Sequence, residues 1–316
     1  TFKPEFNDAF ELGTKNSLLD GTMTLNADIF LYKYQNYQIS QIVDRTSVNL
    51  NFDATVKGAE LESTWEPVPG LRFNLGAGYE DATLNKGSHA IDLMDRTAGN
   101  AGWLVVKPFI TETSNCILPT YVVNEMLAGN GPGLSTACIQ TYLPTTYYVG
   151  GEPVVGLVDP ITFQPYVANP DPVNLPGYIG FNPANAPNSG EGFEKDLSGN
   201  QLPNAPHLTL SIGAQYSTPL SETWAGTLRG DFYYQTDSFA RVFNDRPYDE
   251  LRGYTNLNFA LIFTNQDGWQ TMAYVKNVLD TTAITGAFLN SDDAALTTNV
   301  FTTDPRLFGI RVTKNW

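Results

Sequence analysis

The side chains able to do chemistry are few and scattered. His89 and His207 are the only histidines, and neither lies near a candidate nucleophile in the sequence. No Gly-x-Ser-x-Gly elbow, phosphate-cradling loop or His-Glu-x-x-His pair occurs, so general acid–base and metal-hydroxide chemistry have nothing to build on. The chain therefore reads as a non-enzyme, with no cofactor and no metal centre; acidic loop residues such as Asp292 and Asp293 are compatible with Ca²⁺. Arg229-Gly230-Asp231 spells an adhesion tripeptide, but inside an alternating segment that puts Arg229 and Asp231 on one polar face. Cys116 and Cys138 are the only cysteines, and neither has a CxxC or His companion. Their expected use is a disulfide, worth about 3 kcal/mol on the chain-entropy model in an oxidising compartment, with two free thiols as the alternative. Trp103, Tyr121, Tyr142, Tyr147, Tyr148, Tyr166 and Tyr178 share one Pro-, Gly- and Asn-rich stretch, 86–204. These aromatics are the candidate ligand contacts, suited to stacking on a sugar ring or gripping an aryl-bearing metal chelate; the alternative is that they form the loop's own small core.

The elements that must position these residues show a period of two, in segments of about ten residues parted by turn residues, as in a transmembrane barrel. Met23, Leu25, Ala27, Ile29 and Leu31 alternate with Thr22, Thr24, Asn26 and Asp28. Leu71–Asp81, His207–Tyr216 and Trp224–Tyr234 repeat the pattern, with the charges Arg72, Glu80, Arg229 and Asp231 on the second face. Ala9–Ser17, Leu50–Glu66, Leu251–Thr264, Trp269–Asn277 and Arg306–Trp316 complete nine expected strands. In Leu50–Glu66 the apolar phase changes at Gly58, which predicts a β-bulge there. Short turns at Leu18–Gly21, Pro67–Gly70, Pro219–Glu222 and Asn265–Gly268 alternate with long connections, roughly 41–50, 86–204, 237–250 and 278–304. Outer-membrane barrels sort their loops in this way, with the short turns periplasmic. The expected fold class is all-β, an antiparallel transmembrane β-barrel portion covering 1–316, with 86–204 as a long extracellular loop insertion. Nine is odd, so closure calls for a further strand upstream, because open backbone in lipid costs several kcal/mol per group. A start at Thr1 without an initiator Met agrees with a piece of a longer chain.

Composition narrows the partners. Only 18 Lys and Arg stand against 33 Asp and Glu, a net charge of −15, which disfavours nucleic acid and repels anionic solutes. No apolar run approaches the roughly 20 residues of a spanning helix. Lumen-facing Asp28, Glu60, Glu62, Arg72, Glu80, Arg229 and Asp231 are read as wall networks or a solute path.

Four segments resemble TonB-dependent outer-membrane receptors. Asp304–Trp316 is similar to the family's last strand, with Phe308, Ile310, Val312 and Trp316 as the barrel-assembly signal; Lys314 and a terminal Trp depart from its usual pattern. Lys3–Lys15, Val56–Glu62 and Tyr274–Asp280 resemble the family's "kPE…yElG.K", "v.G.E.e" and "v.NlfD" stretches, in the same order along the chain. The resemblance implies the last nine strands of a barrel of about 22, with a plug domain and a TonB-recruiting motif that this chain does not contain. It implies active import of a scarce solute across the bacterial outer membrane: an iron–siderophore or similar chelate, or an oligosaccharide. The implied partners are outer-membrane lipid, the inner-membrane TonB complex, the barrel-assembly machinery and a small-molecule ligand. A passive porin and a surface glycan-binding β-protein are the alternatives.

Overall fold

The structure is a computed structural model that describes residues 3–43, 46–107, 115–129, 143–149, 152–158, 165–166, 186–291 and 294–315, with backbone alone described at 143–149, 152–158 and 165–166. Its main element is a nine-stranded antiparallel sheet: β1 (Phe6–Leu18), β2 (Met23–Val43), β3 (Thr46–Val68), β4 (Leu71–Leu84), β12 (Leu208–Pro219), β13 (Trp224–Gln235), β16 (Tyr254–Asn265), β17 (Trp269–Lys276) and β20 (Leu307–Lys314). Each of these strands pairs with the next in chain order. The sheet is not closed, and β1 and β20 are its edges. None of the described helices is long and apolar enough to cross a membrane.

Alternation sets the two faces. Leu210, Ile212, Ala214 and Tyr216 of β12 pair with Tyr234, Phe232, Gly230 and Leu228 of β13, while Ser211, Gly213 and Gln215 pair with Tyr233, Asp231 and Arg229. The apolar face is bare: Leu12 is 72% exposed, Phe308 77% and Ile310 76%. Large apolar residues shown to the outside on strand after strand are not the surface of a water-soluble sheet. They form the outward band of a membrane barrel.

The strands run beyond that band, which corrects two expectations. The stretch 41–50 is not a loop, because β2 and β3 continue as one long hairpin to Val43 and Thr46. At about 3.4 Å per residue, 21-residue β2 reaches well past an apolar band of about 25 Å even when tilted. Nor is there a bulge at Gly58, where the register runs on unbroken against Phe30 and Glu80. The apolar phase switches because the partner of the inner face changes. Near the turns that face is polar, with Glu60 and Glu62. Towards the long loops Phe52 and Ala54 on the same face are buried in a core with Ala82, Leu84, Leu197, Leu202, Val242 and Phe243. The register shift of this hairpin lies instead between Tyr34 and Tyr37 of β2, where Asn36 takes φ 57° and its N–H donates to Asp53 Oδ1 at 3.0 Å. A third correction concerns Leu251. It lies outside the main sheet, in β15 (Glu250–Leu251), which pairs with β14 (Ser238–Phe239).

The long connections carry structure of their own. Between β4 and β12 lie β5 (His89–Ile91), β6 (Trp103–Val106), β7 (Cys116–Pro119), α1 (Thr120–Leu127), β8 (Leu143–Val149), β9 (Glu152–Val158), β10 (Pro165–Tyr166) and β11 (Glu194–Asp196). Pairing of β5 with β11 brings the two ends of this connection back together as a stem. Val106, Cys116, Leu118, Val122, Val123 and Met126 form a small separate core within it. The last connection folds as a hairpin of β18 (Ile284–Leu289) and β19 (Thr298–Thr302).

Candidate functional site

Two surfaces come together: the polar inner face of the sheet and the loop rim folded over one end of it. On the inner face Asp28 stands directly opposite Glu60, and Glu62 opposite Asn26, so this wall is acidic. Further along, the guanidinium of Arg229 donates from Nε to both oxygens of Asp231, at 3.1 and 2.8 Å, and from Nη1 to Gln215 Oε1 at 3.0 Å. The Arg-Gly-Asp run is thus a wall ion pair with no exposed adhesion loop, and Gly230 leaves room for the ring of Phe259, which a Cβ would meet at 2.9 Å. Arg72 reaches Glu66 at 3.6 Å. Clefts of about 430 and 1100 Å³ open on this face, the first beside Glu62, Asn74 and Arg229, the second beside Tyr254, Tyr274, Lys276 and Arg311.

The rim is held by buried charge. Asp92 is fully buried and accepts from Arg241 Nη1 at 2.8 Å and from Lys195 Nζ at 3.2 Å. Lys195 also reaches Asp95 at 3.1 Å and Asp245 at 3.0 Å, and Arg241 Nε donates to Asp249 at 2.6 Å. This cluster ties the stem of the first long connection to the 237–250 loop. Neighbouring amides add to it: Asn200 Nδ2 donates to the carbonyl of Val242 at 2.8 Å, and Gln201 N–H donates to Asn244 Oδ1 at 2.7 Å. Burial alone would raise the carboxyl of Asp92, but Arg241 outweighs it and holds that group below the usual carboxylate range. Asp249 goes the other way, pushed up by burial despite the same arginine. Burial opposes the charge of Lys195 too, and three carboxylates overcome it and raise its pKa.

Of the seven candidate aromatics, Trp103 lies edge-on to Phe193, with ring centroids 5.4 Å apart, and Tyr121 stands half-exposed on the first turn of α1. Tyr142 and Tyr178 lie outside the described residues, as do the side chains of Tyr147, Tyr148 and Tyr166. Cys116 is buried, and no described cysteine is free; Cys138 lies outside the described residues. So do Trp316, Asp292 and Asp293, and the described residues hold no metal-binding cluster. Phe308, Ile310 and Val312 stand on the apolar face of β20 as the last-strand pattern expects. Lys314 shares that face at the turn rim, where its Nζ sits 5.4 Å over the ring of Trp269 and reaches the carbonyl of Asp267. A lysine at the edge of the band lays its stem on apolar surface and keeps its charge in water. The clasp residues Asp92, Lys195, Arg241 and Asp249 were not singled out by sequence reasoning, because Asp92 and Arg241 are 149 positions apart.

The first 114 residues match the family model described as TonB dependent receptor-like, beta-barrel. Among curated proteins no match is found. Among solved structures, the ferric yersiniabactin uptake receptor FyuA from Yersinia pestis shares 13% identity at a TM-score of 0.54, over 98% of this chain and 30% of the receptor. BauA, the ferric preacinetobactin receptor from Acinetobacter baumannii, shares 12% at 0.51, over 98% and 30%. The chain thus spans about a third of the length of the structures it matches. The bare apolar face of this sheet is what a barrel embedded in a membrane presents to lipid. The signature of the TonB-dependent receptor β-barrel thus covers the first third of the chain, and the fold of such a barrel is shared over nearly its whole length.

Proposed function

We propose that this barrel segment serves TonB-dependent import of a scarce solute, an iron–siderophore or similar chelate, across the outer membrane. In this reading the solute binds the extracellular loops, and a plug supplied by the rest of the protein moves when the inner-membrane TonB complex pulls on it. The lumen-facing side chains, among them Asp28, Glu60, Arg229 and Asp231, line the wall along which plug and solute pass. Outer-membrane lipid covers the apolar face, and the barrel-assembly machinery reads Phe308, Ile310, Val312 and Trp316. The observation that carries the proposal is the fold, which covers 98% of this chain in a ferric uptake receptor. The rim supports it: loops clasped by buried ion pairs form a built receiving surface, whereas a general diffusion pore needs only an open mouth.

The test is uptake of radiolabelled ferric chelates by iron-starved cells with the gene intact, with the gene deleted, and with the TonB complex disabled. Uptake of at least one chelate is expected to fall to background in both mutants. Uptake that needs the gene but not TonB would make the protein a passive channel and overturn the proposal. If no chelate depends on the gene, an oligosaccharide panel tested in the same strains decides between cargo classes.

A further inference from the structure

Beyond the register shift at Asn36 the β2–β3 hairpin leaves the main sheet. On one side β1 stops pairing at Phe6, opposite Gln35, and on the other β4 stops at Leu84, opposite Ala54. What remains, up to Val43 and Thr46, is a two-stranded ribbon. A ribbon of two strands is marginal in water by itself, so its persistence depends on what holds its faces. On the inner face Tyr37, Ile39 and Leu50 pack against the loop core.

The outer face is held by the three residues that precede β1. Phe52 and Ala54 are buried on the inner face, so alternation turns Asn51 and Asp53 outwards, with Gln38 opposite Asn51. Lys3 N–H donates to Asn51 Oδ1 at 2.9 Å, and the Lys3 carbonyl accepts from Gln38 Nε2 at 3.2 Å and from Asn51 Nδ2 at 3.5 Å. The Pro4 carbonyl accepts from Asn36 Nδ2 at 3.2 Å. Glu5 Oε2 accepts from Gln38 N–H at 2.9 Å, so a carboxylate takes the backbone donor where β1 no longer pairs. Residues 3–5 thus bind both strands of the ribbon at the level where the ladder is broken. Asn36 carries that break in a left-handed conformation, its N–H held by Asp53 Oδ1 and its carbonyl accepting from Asn51 Nδ2 at 2.9 Å.

We propose that residues 3–5 are a strap and that the break at Asn36 is a hinge. The ribbon is then a separate arm of the rim, which opens when the strap lets go while the barrel strands below stay closed. The bonds of the strap lie at exposed positions and are modest one by one, which makes it releasable. The assignment does not rest on the import reading.

The experiment is hydrogen exchange on the protein as its gene encodes it, purified in detergent. The variants change the strap and leave every residue of the hairpin in place: K3P deletes the N–H that Asn51 accepts, and E5A deletes the acceptor of Gln38 N–H. In the combined variant the amides of 39–43 and 46–50 should exchange about tenfold faster, the equivalent of about one lost hydrogen bond, with those of 24–32 unchanged. Unchanged exchange in the ribbon would overturn the strap, and equal acceleration in 24–32 would overturn the hinge. E5Q keeps an acceptor and should exchange as the wild type does; E5Q as fast as E5A would also overturn the strap. A second measurement needs no variant. In the wild type under rising denaturant, the amides of 39–43 and 46–50 should share one opening step that lies below that of 24–32, and a single step common to all three segments would overturn the separate arm.

Discussion

Asn277 shows how a weak sequence motif becomes a physical device. It is nearly fully buried and adopts φ 49°. Its Nδ2 donates to the carbonyls of Thr281 and Asp304, both at 2.9 Å, and its Oδ1 accepts from Thr281 N–H at 3.0 Å. Asp280, three residues on, accepts from the backbone N–H of Arg306 at 3.0 Å and pairs with its guanidinium at 3.2 Å. The Asn and Asp of the "v.NlfD" stretch thus pin the two ends of the last long loop where β17 and β20 enter the sheet. N277A should leave these carbonyls without a donor in a buried place, at a cost of about 1–3 kcal/mol. Hydrogen exchange in the intact protein should show faster opening of the backbone amides of Thr281, Thr303 and Arg306; unchanged rates would contradict this role. Gly58 gives a second test at this scale. A Cβ there would lie 2.2 Å from the carbonyl oxygen of Tyr79 and 2.5 Å from the ring of Phe30, which fills the space the glycine leaves. G58V should therefore destabilise the folded barrel by about 1–3 kcal/mol or more in detergent unfolding, as forced overpacking does. The sequence marked both residues, one by resemblance and one by a phase change, but not the reasons, because a glycine under an aromatic ring and a glycine in a bulge interrupt the pattern alike.

At the scale of elements, the nine-strand count, the four short turns and three of the four long connections were legible, 41–50 being the exception, because each strand meets two different media and a period of two records that difference. The loop end was not legible, because there both media change: the inner face of β2, β3 and β4 meets a loop core instead of a polar lumen, and hydropathy cannot tell one apolar neighbour from another. The ion-pair clasp between the first long connection and the 237–250 loop has no period at all. Its importance is testable through R241M, which leaves Asp92 and Asp249 buried without their guanidinium. Removing one partner of a buried pair costs about 3–5 kcal/mol, so limited proteolysis should cut the 237–250 loop much faster in the variant, and equal cutting rates would show the clasp to be idle. The pH dependence follows with its sign. Asp92 and Asp95 sit below the usual carboxylate range, where burial is outweighed by Arg241 in one case and by Lys195 and Thr97 in the other. Their contribution is complete above the unfolded value of about 3.9 and is lost as pH falls through the lower folded values. Asp249, raised by burial, favours its protonated form and offsets part of that loss. The rim should stay closed from pH 7 to about 4 and loosen below that, with hydrogen exchange at the stem amides as the readout; loosening already between pH 7 and 5 would show that another group controls it.

For the whole molecule, the contrast between faces decides how the chain can exist. Ile310 and Arg311 are neighbours on β20, yet one stands on the bare apolar face opposite Ala273, and the other on the inner face opposite Met272, beside the large cleft. If the apolar face meets lipid, a cation placed there near the middle of the band costs about 2–4 kcal/mol, and nearly nothing at the interfaces. Lys314 on the same face obeys this rule, since it stands at the turn rim with its amine over Trp269 and reaching a backbone carbonyl. I310R should therefore lower the unfolding free energy in lipid bilayers by about 2–4 kcal/mol, whereas R311L, on the water-filled or plug-filled side, should change it by far less. The paired design separates lipid exposure from general damage to the last strand, because both substitutions sit on the same element one residue apart. Equal effects of the two would mean that the faces do not meet different media, and the barrel assignment would then lose its main physical support. The same logic reaches the open edges β1 and β20. Unpaired strand backbone in lipid costs several kcal/mol per group, so this sheet persists in a membrane only with further strands hydrogen-bonded along both edges. Cysteine pairs that lock β20 to such a strand should then form readily in assembled protein and raise its unfolding temperature.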